Sequence, residues 1–270
     1  MQKVTTRDID IALKKINIKK NSCYMVHSSL AHLGIIDGIK IKQIPKIILK
    51  LLRKNLGKNS TICFPTSDWD YSDNKKIFDK KRSNSHREFG GLSQYVAKKN
   101  GSLRSNNPLF NVTALGNKAK FITNGGTTNA FGVDSAWDKL YNLNAEIILL
   151  GCDFSKATFT FTRYIEFRYG VPYLYNKFFK IPISKNKKKI FNHSVSTLRY
   201  LDLNIKYDLN NFKKILKRKK ILIENNNKKI KIIKVKMKPC FDAGIDCLKK
   251  DINFFLKKKP NYKFTKYPIK

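Results

Sequence analysis

The chain has 270 residues, a hydrophobic fraction of 41%, and 56 lysines and arginines against 19 acidic residues, a formal net charge of +37. That length holds one large α/β domain or two small ones, and the apolar fraction excludes wholesale disorder. No apolar run reaches the roughly 18–20 residues that cross a bilayer, and the start MQKVTTRDIDIALKK lacks the apolar segment of a signal peptide, so a cytoplasmic protein is expected.

In chain order, Thr5 or Thr6 caps a first helix whose Ile9, Leu13 and Ile16 share one face. Residues 23–26 of CYMVHSSLAHLG form a buried strand that runs into a polar turn. Ile41, Ile44, Ile48, Leu51 and Leu52 recur at helical spacing with lysines between them, which predicts an amphipathic helix over 41–55. Gly57 ends it, and TICFP at 61–65 is the next strand. Residues 67–87, rich in Asp, Ser, Asn and Lys, form a long polar loop of the kind that carries function. GGLSQYVAKK restarts a helix, and AEIILLG at 145–151 is the clearest buried strand. Strands alternating with helices predict an α/β layered domain over 1–180. Beyond it, lysine-rich short strands and helices near 209–216 and 243–248 predict a smaller α+β lobe over 181–258, followed by a poorly ordered basic tail at 259–270.

The five cysteines are widely spaced without a CxxC pair, which predicts buried thiols and neither a disulfide framework nor a metal site. The positive field attracts anions generally. The basic runs at 185–189, 218–220 and 257–259 nevertheless lack the interleaved aromatics that stack bases, so no dedicated nucleic-acid function is expected. There is no GxxxxGK[ST] loop and no GxGxxG after a strand, which removes support for a nucleotide triphosphatase or an ordinary dinucleotide enzyme.

Four polar, aromatic or glycine-rich segments follow predicted strands: VHSSLAHLG, RSNNPLFNVTALG, FGVDSAWDKL and ATFTFTRYIEFRYGVPYLYNKFF. Strand ends with hydroxyls and free amides are where α/β folds bind ligands. In order and spacing, together with STICFPTSD, GGLSQY and DINFFL, these segments resemble the aminoglycoside N(3)-acetyltransferase family over roughly residues 5–256. YGVPYLYNKFF is similar to members found with surface-polysaccharide genes. The resemblance implies a three-layer α/β/α fold with a mixed sheet, and direct transfer of acetyl from acetyl-CoA to a sugar amine without an acyl-enzyme. It implies that His27, Ser28 and Ser29 line the thioester end of the coenzyme, and that Arg104 and Ser105 help to hold it.

One letter departs from the family pattern. In its T-x-x-H-x-x-E helix the histidine accepts the amine's proton, yet here the matching residues are Thr160, Arg163 and Glu166. A positioned base contributes about 10²–10⁴-fold to such a reaction. Arginine stays protonated at physiological pH and has no acceptor, so Arg163 cannot serve. The RS-x-H-P segment is altered too, with Asn107 at the histidine position. Three readings stay open: Glu166 is the base, another histidine (His27 or His86) substitutes, or the protein binds ligands without efficient turnover. A polycationic aminoglycoside suits a +37 protein poorly. The expected acceptor is an anionic or nucleotide-linked amino sugar, with Arg163 on the anion; a homodimer is left open.

Overall fold

A computed structural model describes residues 3–73, 76–125, 128–154, 159–185, 188–225 and 229–262. Most of the expected basic tail at 259–270, and Asn186 and Lys187 of the 185–189 run, lie outside these residues. The first part contains β1 (Lys3–Val4), α1 (Thr6–Lys14), β2 (Cys23–Ser28), β3 (Ile35–Ile36), α2 (Ile44–Leu56) and β4 (Thr61–Pro65). Then come α3 (Gly90–Ala97), β5 (Leu103–Arg104), β6 (Val112–Leu115), α4 (Ala119–Thr123), α5 (Ala136–Asn142), β7 (Glu146–Leu150) and α6 (Phe161–Tyr169). The chain ends with β8 (Leu174–Lys185), β9 (Lys188–Arg199), α7 (Asn210–Arg218), β10 (Leu222–Glu224), β11 (Ile232–Lys236) and α8 (Met237–Lys250).

The main sheet has seven strands in the order β10-β11-β7-β2-β4-β6-β5. β2 runs parallel to both β4 and β7, whereas β6, β5, β11 and β10 join antiparallel. The sheet is therefore mixed. Period-two alternation sorts each central strand between two cores: Tyr24, Val26, Ile62, Phe64, Ile148 and Leu150 face one, and Met25, Cys63, Ile147 and Leu149 face the other. The first core is closed by α1, α2 and α3, the second by α5, α6, α7 and α8. This is the three-layer α/β/α architecture expected from the sequence.

Local chemistry explains the elements. Thr5 caps α1 in a reciprocal pair with Asp8, each side chain accepting from the other's backbone N–H. In α2 the leucines and isoleucines at 48, 49, 52 and 56 are buried while the lysines between them face water. Two expectations differ from what forms. The lysine-rich stretch directly after α6 forms one hairpin of two 12-residue strands, β8 and β9, and the expected short strands appear only later, as β10 and β11. The last helix begins at Met237, six residues before its expected start, because Pro239 sits in the first turn, where a missing N–H breaks no helical bond.

The chain leaves β2 for β4 and continues through β5 and β6 on one side, then returns to β7 and later adds β10 and β11 on the other. The strand order thus reverses at β2, and the crevice beyond the carboxyl ends of β4, β2 and β7 is the topological switch point. No described helix is long and apolar enough to cross a membrane.

Candidate functional site

A cleft of about 710 Å³ opens at that switch point. Its floor is made by the strand ends themselves: His27 and Ser28 close β2, Pro65 closes β4, and Cys152 follows β7. Trp69, Phe89 and Phe110 supply an aromatic wall beside Glu88. Thr160 and Arg163 enter from the start of α6, and Thr197, Leu198 and Arg199 from the end of β9.

Two glycines let backbone segments crowd onto the end of β2. Gly90 has φ +81°, and a Cβ there would stand 2.9 Å from the Ser28 carbonyl oxygen. Gly151 has φ +68°, and its Cβ would stand 2.6 Å from the Ser29 carbonyl oxygen. A larger residue at either point would clash as well as strain the backbone.

His27 is only 4% exposed, its ring near that of Trp137, and burial pulls its pKa down to about 4, so the imidazole is neutral at pH 7. Its Nε2 and the Ser28 Oγ are buried and have no hydrogen-bond partner. Two such orphans side by side on a ligand-sized cleft are unusual, since each forfeits roughly 1–3 kcal/mol. Ser29 is engaged differently, with its Oγ 2.6 Å from His32 Nδ1 in the turn after β2, away from the cleft wall.

Arg163 and Glu166 form the second half of the site. Glu166 is fully buried and does not reach the cleft wall. The Tyr173 hydroxyl donates to its Oε1 at 2.9 Å, the Tyr207 hydroxyl donates to its Oε2 at 3.1 Å, and Arg163 Nη1 stands 3.7 Å from Oε2. Burial pushes the Glu166 carboxyl above the usual range, and Arg163 and the two tyrosines pull it back. The Arg163 guanidinium also donates to the Tyr207 oxygen and lies 4.7 Å over the ring of that tyrosine. Glu166 is thus sealed beneath Arg163, which is the residue the cleft meets. Arg199, also on the wall, stands close enough for its charge to help pull the Glu166 carboxyl down.

Arg104 and Ser105 lie elsewhere. The Arg104 guanidinium is 4% exposed and caged: Nε donates to Asn111 Oδ1, Nη1 to the Ser83 carbonyl, and Nη2 to the carbonyls of Thr66 and Asn84. Those bonds tie the long 67–87 loop to β4 and β6. Ser105 Oγ accepts the Val112 N–H at 2.9 Å. Asn107, at the altered histidine position, donates to the carbonyls of Thr128 and Val195 and accepts from Leu109 and Phe110.

Of the residues singled out from sequence, the structure brings His27, Ser28 and Arg163 to one cleft, with Glu166 directly behind. It keeps Ser29, Arg104 and Ser105 off the wall. Sequence reading passed over Tyr173, Tyr207, Glu88 and Arg199. Only Tyr173 left a trace there, seven residues after Glu166 in the VPY segment.

The family model described as aminoglycoside 3-N-acetyltransferase matches residues 25–249. Aminoglycoside N(3)-acetyltransferase III of Salmonella sp is 26% identical over 171 residues, 57% of this chain and 58% of that protein. The SPbeta prophage-derived aminoglycoside N(3')-acetyltransferase-like protein YokD of Bacillus subtilis (strain 168) is 24% identical over 174 residues, covering 57% and 62%. The chain therefore spans about three-fifths of the length of the curated relatives it matches. Among solved structures, AAC-IIIb in a binary complex with CoASH aligns at a TM-score of 0.76 and 19% identity, over 96% of this chain and 100% of that one. A mutant of AAC(3)-IVa in complex with a gentamicin aligns at 0.72 and 18%, over 94% and 92%. Both likenesses show the fold. With its match running from the middle of β2 to the last turn of α8, across every strand end that builds the cleft, the chain belongs to the aminoglycoside 3-N-acetyltransferase family.

Proposed function

We propose that this protein binds acetyl-CoA in the switch-point cleft and transfers the acetyl group to the amine of an anionic amino sugar. The observation that carries this reading is the pair of unpartnered buried polar atoms, His27 Nε2 and Ser28 Oγ, on the wall of a 710 Å³ cleft. A pantetheine arm, with its amides and thioester carbonyl, supplies the hydrogen-bonding groups these atoms lack. A related fold is known with CoASH bound, which agrees with this assignment. In the transfer the amine nitrogen attacks the thioester carbon, the C–S bond breaks, and the amine sheds a proton. Neutral His27 bonds the acyl donor, and Arg163, anchored on Tyr207 and Glu166, presents a fixed cation to the acceptor.

The charge on the wall selects the acceptor. The charged lining residues are Arg163, Arg199 and Glu88, two guanidinium groups against one carboxylate. A polycation such as the gentamicin held by AAC(3)-IVa needs several carboxylates, whereas a phosphate or carboxylate on the sugar pairs with arginine in a bidentate fork.

The test is thiol release from acetyl-CoA with two panels of acceptors, nucleotide-linked or carboxylate-bearing amino sugars and kanamycin-type amines. Faster acetylation of the anionic panel is expected. Faster acetylation of the polycations would refute the acceptor assignment, and saturable coenzyme binding without release from either panel would make the protein a ligand-binding relative.

A further inference from the structure

Amine acetylation needs a group that takes the amine's proton, and the helix position that supplies it in the family's motif holds Arg163 here. The other titratable groups on the wall can be taken in turn. Burial pushes the Cys152 thiol up to about 12, so it keeps its own proton at neutral pH. His27, with its Nε2 buried, is assigned above to the acyl donor. Glu166 lies behind Arg163, its two oxygens already occupied by Tyr173 and Tyr207. Glu88 remains, the one carboxylate among the described lining residues.

Its position is fixed by the turn that carries it. The missing side chain at Gly90 lets the backbone after Glu88 approach the Ser28 carbonyl at the end of β2, where a Cβ would stand 2.9 Å from it. The His86 N–H is bonded to the Ser67 carbonyl at 2.9 Å. His86 Nδ1 accepts the Glu88 N–H at 3.4 Å and lies 3.7 Å from Glu88 Oε2. The Glu88 side chain itself is 68% exposed, so an entering amine can reach it. We propose that Glu88 is the proton acceptor for the attacking amine, filling the role that Arg163 cannot perform. This rests on the transferase reading above. As the C–N bond forms and the C–S electron pair leaves on sulfur, the amine proton passes to the Glu88 carboxylate and then to the thiolate or water. The products are the amide and free coenzyme A.

The test compares Glu88→Gln with the parent, using an anionic amino sugar as acceptor. The glutamine keeps the shape and loses the acceptor charge. Coenzyme A affinity and melting temperature should match the parent, and kcat should fall about 10²-fold at neutral pH. That deficit should narrow as rising pH frees more of the amine, and Glu88→Asp should recover part of the rate. An unchanged kcat with a raised acceptor KM would overturn the proposal, leaving Glu88 as a contact for the ammonium only. Loss of coenzyme binding in the parent as well would overturn the transferase reading itself, whereas intact binding and turnover in both proteins would overturn Glu88 alone.

Discussion

Replacing Arg163 by methionine removes the cation that touches the buried Glu166 carboxylate at 3.7 Å, and leaves the two tyrosine hydroxyls in place. Glu166 then has two options: to stay ionised without its cation, or to take a proton. Burial already holds its folded pKa above the ordinary 4.5, and losing Arg163 raises it further. A carboxyl that binds its proton more tightly when folded loses stability as pH rises from its unfolded pKa to its folded one. Protonation limits the added loss at pH 7 to about 1.36 kcal/mol for each of the 2.5 units above 4.5, roughly 3.4 kcal/mol. In a domain of this size that corresponds to about 7–14 °C in melting temperature. The variant also loses the contact with Tyr207 at every pH, so the informative quantity is the parent-minus-variant difference at pH 7 less that at pH 4.5. Urea unfolding at both pH values measures it. A deficit that grows by 1–3 kcal/mol toward pH 7, and that disappears from the pH comparison when Glu166→Gln is added, is expected to within about 1 kcal/mol. An equal deficit at both pH values would refute the coupling of Arg163 to Glu166.

The Arg104 cage predicts that Arg104→Lys destabilises by roughly 2–4 kcal/mol, because an ammonium cannot serve Asn111 and three carbonyls from one plane; thermal unfolding checks it, and coenzyme affinity measured well below the melting point should not change. Neutral His27 makes the fold acid-sensitive: it binds its proton more weakly folded than unfolded, so stability is complete above about pH 6.5 and declines toward pH 4, by up to about 3 kcal/mol. His27→Gln should remove that share of the decline in urea unfolding between pH 7 and 4.5. Arg163→His should lower kcat/KM on anionic acceptors by about tenfold or more, the loss of one charge-assisted contact of 1.5–3 kcal/mol. A gain instead would show that the arginine cripples the enzyme.

The fold was largely legible because hydrophobic periodicity is a local signal. The buried strands at 61–65 and 146–150 and the amphipathic α2 coincide with their expected places to within a few residues. The hairpin was misread because lysines interrupt β8, although Tyr175, Phe179, Ile181 and Ile183 alternate along it. α8 starts six residues earlier than expected, since Pro239 in its first turn breaks no helical bond.

The site was legible in part. A polar turn at a strand end pointed to His27 and Ser28, and the motif spacing pointed to Arg163 and Glu166. Which way a side chain faces is another matter. Arg104 has the chemistry of an anion ligand, but three carbonyls and an asparagine claim it first. Tyr207 and Arg199 meet Glu166 and the cleft through chain reversals of about forty residues, for which no local spacing exists. Glu88 stands in a stretch whose exposed character gave no sign of the close approach to β2 that Gly90 permits.

Amide hydrogen exchange with and without coenzyme A tests the cleft most directly. Slowed exchange confined to residues 27–30, 86–91, 152–154, 160–164 and 197–199 is the predicted outcome. Protection mapped to any other part of the molecule, with these segments exchanging as before, would contradict it.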